Sequence, residues 1–529
     1  MILRYSVILT FFFFIVFSGC NQKSQTKKNT IHLSIISQVR SLDPRVSNEY
    51  PSVHMINMLY DGLTRLDSKG DIVPGVAKAW DISSDQKTYT FYLRDSHWTN
   101  GELVTAYDFE YAWKKSVTPE YAKNGAFTFY SIKNVEACLS GNVPIEQVGI
   151  RALDKDTLEV ELEHPAPYFL SLCACSTYSP INKNVDINHP EWPNSINQHF
   201  VCNGPFILKE WKKNSELCFE KNPLYWDEKT ISIAGINIQI LPDTHTQFLL
   251  FEQNELDWVG YPFNPMPVDI IASTKINGML KVIDAYGLYW FFVNTEKPPF
   301  NNKNFRRAIA LAINRDLIAK HIFQLGEKPA LGILNSKLAV TDKPYFQDGD
   351  ILRAKQHLKE ALSEMGTTIE EICPIVLSQR SCLFTKRINQ AIQQQLAQNL
   401  GLIVEIDQVD WPVHFNRMSR GDYAMGEMGW NSWLNDPIYM LDTFRCKSFL
   451  TYMSQWEHEE YKRLLNLSDH ETIPQKRREI LRQAEAFLME EMPVIPVCFN
   501  KLHYLSNPKL KNVYISPLKE IDFRYAYFD

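Results

Sequence analysis

Five short stretches of the chain, at 31–35, 89–93, 158–162, 236–240 and 404–406, alternate apolar with polar residues, as in Ile31-His-Leu33-Ser-Ile35. A period of two puts the apolar side chains on one face of an extended backbone, so each stretch predicts a half-buried strand. Helical spacing is clearest at Ile309, Ile313 and Leu317 after the Asn301-Asn302 start, and over 350–365, 385–400 and 475–491, with Gly366 and Gly401 placed as C-terminal stops. Strand-rich sequence from 30 to 295 gives way to mixed sequence from 296 to about 495, then to the apolar run VIPVCF and a short tail. That order predicts two lobes, crossed by the chain more than once, with a cleft between them.

The first 20 residues follow a different pattern: Arg4 in a short positive start, an apolar run from Tyr5 to Phe17, then Ser18 and Gly19 before Cys20. The run is too short to span about 30 Å of hydrocarbon and suits a cleaved export signal. Gly19-Cys20 resembles the lipobox of bacterial lipoproteins, with Phe17 where Leu is usual, which implies a signal peptide over 1–20 and lipidation of Cys20. The following polar residues, 21–30, form a tether holding the body off the membrane.

Composition narrows the remaining classes. With 45% hydrophobic and 22% charged residues the chain can bury large cores, and 12 Trp, 24 Tyr and 30 Phe supply many flat, half-polar surfaces. The 55 basic residues against 61 acidic ones leave a net charge of −6, so no global basic field draws nucleic acid. Nine cysteines follow Cys20 without a CxxC pair, and Cys173-Ala-Cys175 sits in an apolar, strand-like run; buried thiols or one or two bridges are expected rather than a metal site. Connectivity stays open. The phosphate-loop, HExxH, GxSxG and GxGxxG signatures are absent, and His357 and His458 read as solvated, so no catalytic residue, metal or cofactor is expected.

A run of ordered motifs covers some 450 residues. Ser41-Leu-Asp-Pro44, Leu59-Tyr-Asp-Gly-Leu63, Pro74-Gly-Val-Ala-Lys-Ala-Trp80, Tyr89-Thr-Phe-Tyr-Leu-Arg94 and Trp98-Thr-Asn-Gly101 come first. Asn203-Gly-Pro-Phe206, Asn222-Pro-Leu-Tyr-Trp226, Asn314-Arg-Asp316, Val409-Asp-Trp411, Gly421-Asp-Tyr423, Gly429-Trp430 and Pro493-Val-Ile-Pro496 follow. Together they resemble the extracytoplasmic solute-binding proteins of peptide ABC importers, the oligopeptide-binding lipoproteins above all. Taken singly, the same residues read as turns and aromatic packing, so they assign a fold and not a ligand.

The resemblance implies an α/β, two-lobed, periplasmic-binding-protein-like fold with a hinge and an extra subdomain in lobe I. Lobe I would comprise 31–72, 196–292 and the return 501–529, with the subdomain over 73–195; lobe II would span 293–500. Crossing strands near 286–294 and 494–500 would act as the hinge. The implied function is capture of an oligopeptide, including peptidoglycan-derived ones, and its delivery by an extracytoplasmic, lipid-anchored monomer to the permease subunits of the importer. A same-fold binding protein for another small solute, such as a cationic ligand, metal chelate, haem or sugar, is the alternative; an enzyme or adhesion protein on this scaffold comes third.

Carried over position by position, the family's charged anchors are altered. The Asp expected three residues after the Gly-Trp pair is Trp433; Asp436, three further on, could substitute, although Asp436-Pro437 also reads as a helix start. Ungapped counting puts family cations on Met418, Glu427 and Gln324, and a bridging cysteine pair of some relatives on Leu288 and Asn431. Tyr286, Trp411 and Trp430 fall where family aromatics line the cleft, and Tyr261 and Asn48 are further candidates. If Glu427 faced the cleft it would favour a cationic group.

Overall fold

The computed structural model describes residues 29–529 apart from 48, 68–70, 123–124, 272, 274–277 and 448–452. Cys20 with its signal and Asn48 therefore lie outside the described residues. In chain order, β1 (Thr30–Ile35) opens a first sheet, and the chain then leaves it to build a second from β2 (Ala77–Ile82), β3 (Thr88–Leu93), β4 (Ile150–Ala152) and β5 (Thr157–Glu161). It returns with β6 (Phe206–Lys212), β7 (Glu216–Lys221) and β8 (Gly235–Ile240), which complete the first sheet in the order β1-β8-β7-β6. β1 lies parallel to β8 while the other neighbours are antiparallel.

Both sheets bury their alternate apolar residues in one continuous core that includes Ile31, Leu33, Phe91, Leu158, Phe219 and Ile236. Leu510, Ile521 and Phe523 from the end of the chain join it. The recurring motifs meet there. Asp61 accepts hydrogen bonds from Tyr225 Oη at 2.9 Å and Trp226 Nε1 at 2.8 Å, and its carbonyl accepts one from Asn203 Nδ2 at 3.0 Å. Arg94 stacks over the Trp226 ring at 3.7 Å, and a Cβ on Gly204 would lie 2.5 Å from the backbone of Leu59. These motif residues hold loops together.

A third sheet carries the rest. β9 (Trp258–Gly260), β10 (Lys281–Val293), β11 (Ile375–Arg380), β12 (Val404–Val409), β13 (Met425–Asn431) and β14 (Val494–Ser506) line up as β9-β14-β10-β13-β11-β12. β10 and β14, 13 residues each, are antiparallel along their length with register shifts near 284–288 and at 289–290. Alternate residues of β10 enter opposite cores: Tyr289, Phe291 and Val293 pack with the helix Lys303–Ala312, and Leu288, Trp290 and Phe292 with the helices toward the C-terminus. Burial on both faces is why 285–293 reads as an unbroken apolar run and shows no alternation.

The long helices form as the spacing predicts, as Ile351–Met365, Leu383–Leu400 and Pro474–Glu491, with Gly366 and Gly401 at φ of 63° and 72° closing the first two. The Ile309, Ile313, Leu317 series is interrupted. The helix ends at Ala312, Asn314 caps a new short helix Arg315–Ile318 through Leu317 N at 3.0 Å, and Leu317 is exposed. Arg315, fully buried, ties that break to β14 by donating to Pro496 O at 2.7 Å and to Asp348. Cys173-Ala-Cys175 is likewise no strand: it follows the helical turn Phe169–Leu172, where Cys175 Sγ reaches Ser171 O, and all nine described cysteines are thiols.

Glu485, buried in Pro474–Glu491, accepts from Ile333 N at 2.9 Å, Leu334 N at 3.0 Å and Tyr345 Oη at 2.8 Å. Burial outweighs these bonds and pushes its carboxyl up to about 7. A carboxyl whose pKa rises on folding stabilises the fold fully below its unfolded value and loses that contribution as pH climbs through the folded one. Stability relative to Glu485→Gln, which keeps the acceptor, should fall by about 3 kcal/mol between pH 4.5 and pH 7.5. Thermal midpoints of both proteins across that range check it; a pH-independent difference contradicts it.

Candidate functional site

Three of the sequence candidates, Tyr286, Glu427 and Trp430, stand where β10 meets β13. Gly287 pairs with Asn431, Leu288 with Trp430 and Tyr289 with Gly429. A Cβ on Gly287 would come within 2.6 Å of Trp430 O and 2.3 Å of Asn431 Oδ1, so the two strands approach this closely only with glycine there. Tyr286, buried, donates its N–H to Pro517 O at 2.9 Å and accepts from Ser432 N at 2.6 Å. Leu288 and Asn431 carry no cysteine, and they stand one register step apart.

The aromatics divide. Trp430 is half-buried, stacked on Trp290 at 6.0 Å and edge-on to Phe292 at 6.2 Å, as a core residue with one open side. Trp411 begins the helix Trp411–Arg420, is 45% exposed and rests on Phe415 with ring centroids 5.6 Å apart. Trp433 is at the surface too. Tyr261 is half-buried, donates its N–H to His503 O at 3.0 Å and accepts from Trp258 Nε1 at 2.9 Å.

Neither candidate carboxylate presents an open face. Asp436 is clasped by Arg477, Nη1 and Nη2 lying 2.8 and 2.9 Å from its two oxygens, and its Oδ1 also accepts from Ile438 N at 2.9 Å, at the start of the helix Ile438–Asp442. Glu427 has no exposed surface: its Oε1 accepts from Arg380 N at 3.1 Å and lies 3.3 Å from Arg380 Nε. A cationic ligand at Glu427, one of the expectations above, would have to displace Arg380. Met418 is wholly buried against Gly426, and Gln324 is exposed, bonded to His321 O at 2.7 Å.

Sequence reasoning missed two cations. Arg380 ends β11, a strand of mixed pattern that the alternation did not flag, and its guanidinium sits 5.6 Å over the Trp411 ring. Lys519 lies in the turn whose Pro517 O is bonded to Tyr286 N, and its ammonium is 5.6 Å from the Tyr261 ring. No spacing rule singles out a lysine in Ser516-Pro-Leu-Lys519. Of the two histidines read as solvated, His458 is exposed, accepting from Glu460 N with its ring 4.6 Å from Phe487, whereas His357 is largely covered, its Nδ1 2.9 Å from Asn304 Oδ1. A polar cavity of about 60 Å³ beside Asp61, Arg65 and Glu520 has room for roughly two waters and none for a peptide.

The model of the bacterial extracellular solute-binding proteins, family 5, middle region, matches residues 71–449. The chain belongs to that family. It is similar to the oligopeptide-binding protein OppA of Bacillus subtilis, with 35% identity over 99% of both chains. Among solved structures, an oligopeptide-binding protein (OppAIV) of Borrelia burgdorferi aligns with a TM-score of 0.82, at 25% identity over 95% of this chain and 100% of that one. Listeria monocytogenes OppA bound to peptide aligns with a TM-score of 0.77, at 26% identity over 95% of this chain and 99% of that one. The family member described here thus has the α/β, two-lobed periplasmic-binding-protein fold, and no described helix is long and apolar enough to cross a membrane.

Because Asp436 and Arg477 are both nearly buried, removing one charge strands the other. Asp436→Asn should lower stability by about 3–5 kcal/mol. Chemical denaturation measures it; a variant as stable as the wild type, with altered ligand binding only, would make Asp436 a ligand anchor.

Proposed function

We propose that this family 5 protein captures oligopeptides between its two lobes, closes over them, and delivers them as a lipid-anchored monomer to the transmembrane subunits of an ABC importer. The observation that carries the reading is the full-length likeness to an oligopeptide-binding protein, joined to a peptide-bound relative that matches along nearly the whole chain. Closure would rest on β10 and β14, the paired strands of the large sheet, with Tyr504 near the end of β14 packed against the first core. Peptide selectivity would be broad, with main-chain bonds giving affinity and Trp411, Trp430, Trp433 and Tyr261 offering surfaces around it. With Trp433, Met418 and Gln324 at the expected anchor positions, the ends of a peptide are held differently from the pattern the resemblance implies.

Mixed tri- to hexapeptides at 100 times their dissociation constant should add about 2.7 kcal/mol to folding stability, read as a rise in thermal midpoint. No rise with any peptide pool removes peptides as the ligand. For the anchor, Cys20→Ala should abolish incorporation of labelled fatty acid and release the protein from membranes; retention of label on that variant would place the modification elsewhere.

A further inference from the structure

Residues 324–330 form a loop that runs along β14 and crosses a break in its ladder with β10. Asp284 pairs with Lys501 and Leu288 with Phe499, so residues 285–287 stand opposite Asn500 alone. On one side of that break the loop is held by main-chain bonds: Phe499 N donates to Lys328 O and Ala330 N to Val497 O, both at 3.0 Å, and Pro329 bridges to Cys498. On the other side it is held by a side chain. Glu327 reaches His503, two residues beyond Lys501 on β14, with Oε1 3.6 Å from Nε2. Its other oxygen, Oε2, folds the loop back on itself by accepting from Leu325 N at 3.0 Å.

The Glu327 and His503 side chains are 4% and 7% exposed, and His503 Nε2 has no hydrogen-bond partner among the described residues. A separation of 3.6 Å is too long for a hydrogen bond, and a neutral imidazole nitrogen facing a carboxylate oxygen sets two acceptors against each other with no proton between them. One shared proton converts that opposition into a bond. Burial pushes the Glu327 carboxyl up and the His503 imidazole down to about 4, so each group favours its neutral form. The neutral pair is the one in which the carboxyl carries the proton and the imidazole accepts it. Few charges face it. Lys501, which opposes the rise of the carboxyl and adds to the fall of the imidazole, lies 3.7 Å from Asp284 on β10, and a Cβ on Gly326 would be 3.5 Å from its Nζ. Lys281 on β10 is turned to Ser506 Oγ at 2.8 Å, and β9 with its following residue brings Gly260 and Tyr261, whose N–H is bonded to His503 O.

We propose that the loop 324–330 is a strap across the hinge, fastened by one proton shared between Glu327 and His503, and that loss of this proton frees the break at 284–288 to bend. This rests on the closure part of the reading above. The imidazole is free to accept above about 4, while the carboxyl holds its proton below its raised value and loses it as pH climbs through that value. The strap is therefore fastened in mild acid and released in alkali.

The test uses the whole protein without peptide and compares it with Glu327→Gln, whose amide keeps an acceptor for Leu325 N and gives His503 a permanent N–H. Hydrogen exchange read by mass spectrometry over 284–288, 324–330 and 497–503 should show equal protection of the two proteins at about pH 5, and protection of the wild type roughly tenfold below that of the variant at about pH 8.5. Comparing the proteins at one pH cancels the intrinsic pH dependence of exchange. Equal protection throughout, or a difference that does not change with pH, overturns the strap. On the wild type alone, nitrogen NMR of labelled histidine should show His503 Nε2 responding over the same range, and a flat signal overturns the shared proton. With no peptide present, failure of the strap leaves peptide capture standing, and failure of peptide capture leaves these readouts unchanged.

Discussion

The pairing of β10 with β14 is the constraint on which the molecule depends. Residues 285–293 are buried on both faces, dividing their side chains between two cores, so the strand cannot slip by one residue without exchanging the two sets. Burying a large apolar side chain contributes about 1.5–3 kcal/mol, and β10 buries a run of them where few loops could compensate. The polar work is done at the margins. Arg315 satisfies Pro496 O on β14, Arg306 donates to Glu491 O just before that strand, and Gly287 lets β13 approach on the other side. Its ladder with β14 breaks register twice, between Asp284 and Leu288 and between Tyr289 and Trp290.

The fold was legible where burial is one-sided. Strands such as 31–35 and 236–240 alternate because one face meets the core and the other does not, and the long helices declare themselves through spacing and glycine caps. β11 and β10 were not, because buried strands lose their alternation and a short apolar run carries no period of its own. The break at 313–314 was hidden for a different reason: Asn314 and Asp348 together supply bonds that stop the helix, and Asp348 is distant in sequence. The motifs of the resemblance were read correctly as scaffold. Asp61, Asn203, Tyr225 and Trp226 form one hydrogen-bonded node.

The candidate aromatics could be picked out along the chain, but their surroundings could not. Trp411 and Trp430 stand near β10 and β13, but their roles diverge with burial, which no spacing encodes. Counting along the chain located the altered anchor positions and nothing of the tertiary environment around them. Arg380 ends a strand and Lys519 lies in a turn near the end of the chain, and neither position carries a spacing signal of its own.

The two candidate carboxylates differ in how their arginine partners meet them. A carboxylate as deeply buried as Glu427 is costly unless compensated; its Oε1 accepts from the Arg380 backbone N–H and forms an ion pair with the guanidinium at 3.3 Å. The pair therefore spends its attraction on orienting Arg380, leaving the outer edge of the fork directed beside Gly429, where no side chain competes. Asp436 does the opposite: both of its oxygens are taken by Arg477, which locks a helix start and removes the carboxylate from recognition. Two acidic residues that look equivalent in the sequence are thus separated by which atoms of their arginine partners remain available.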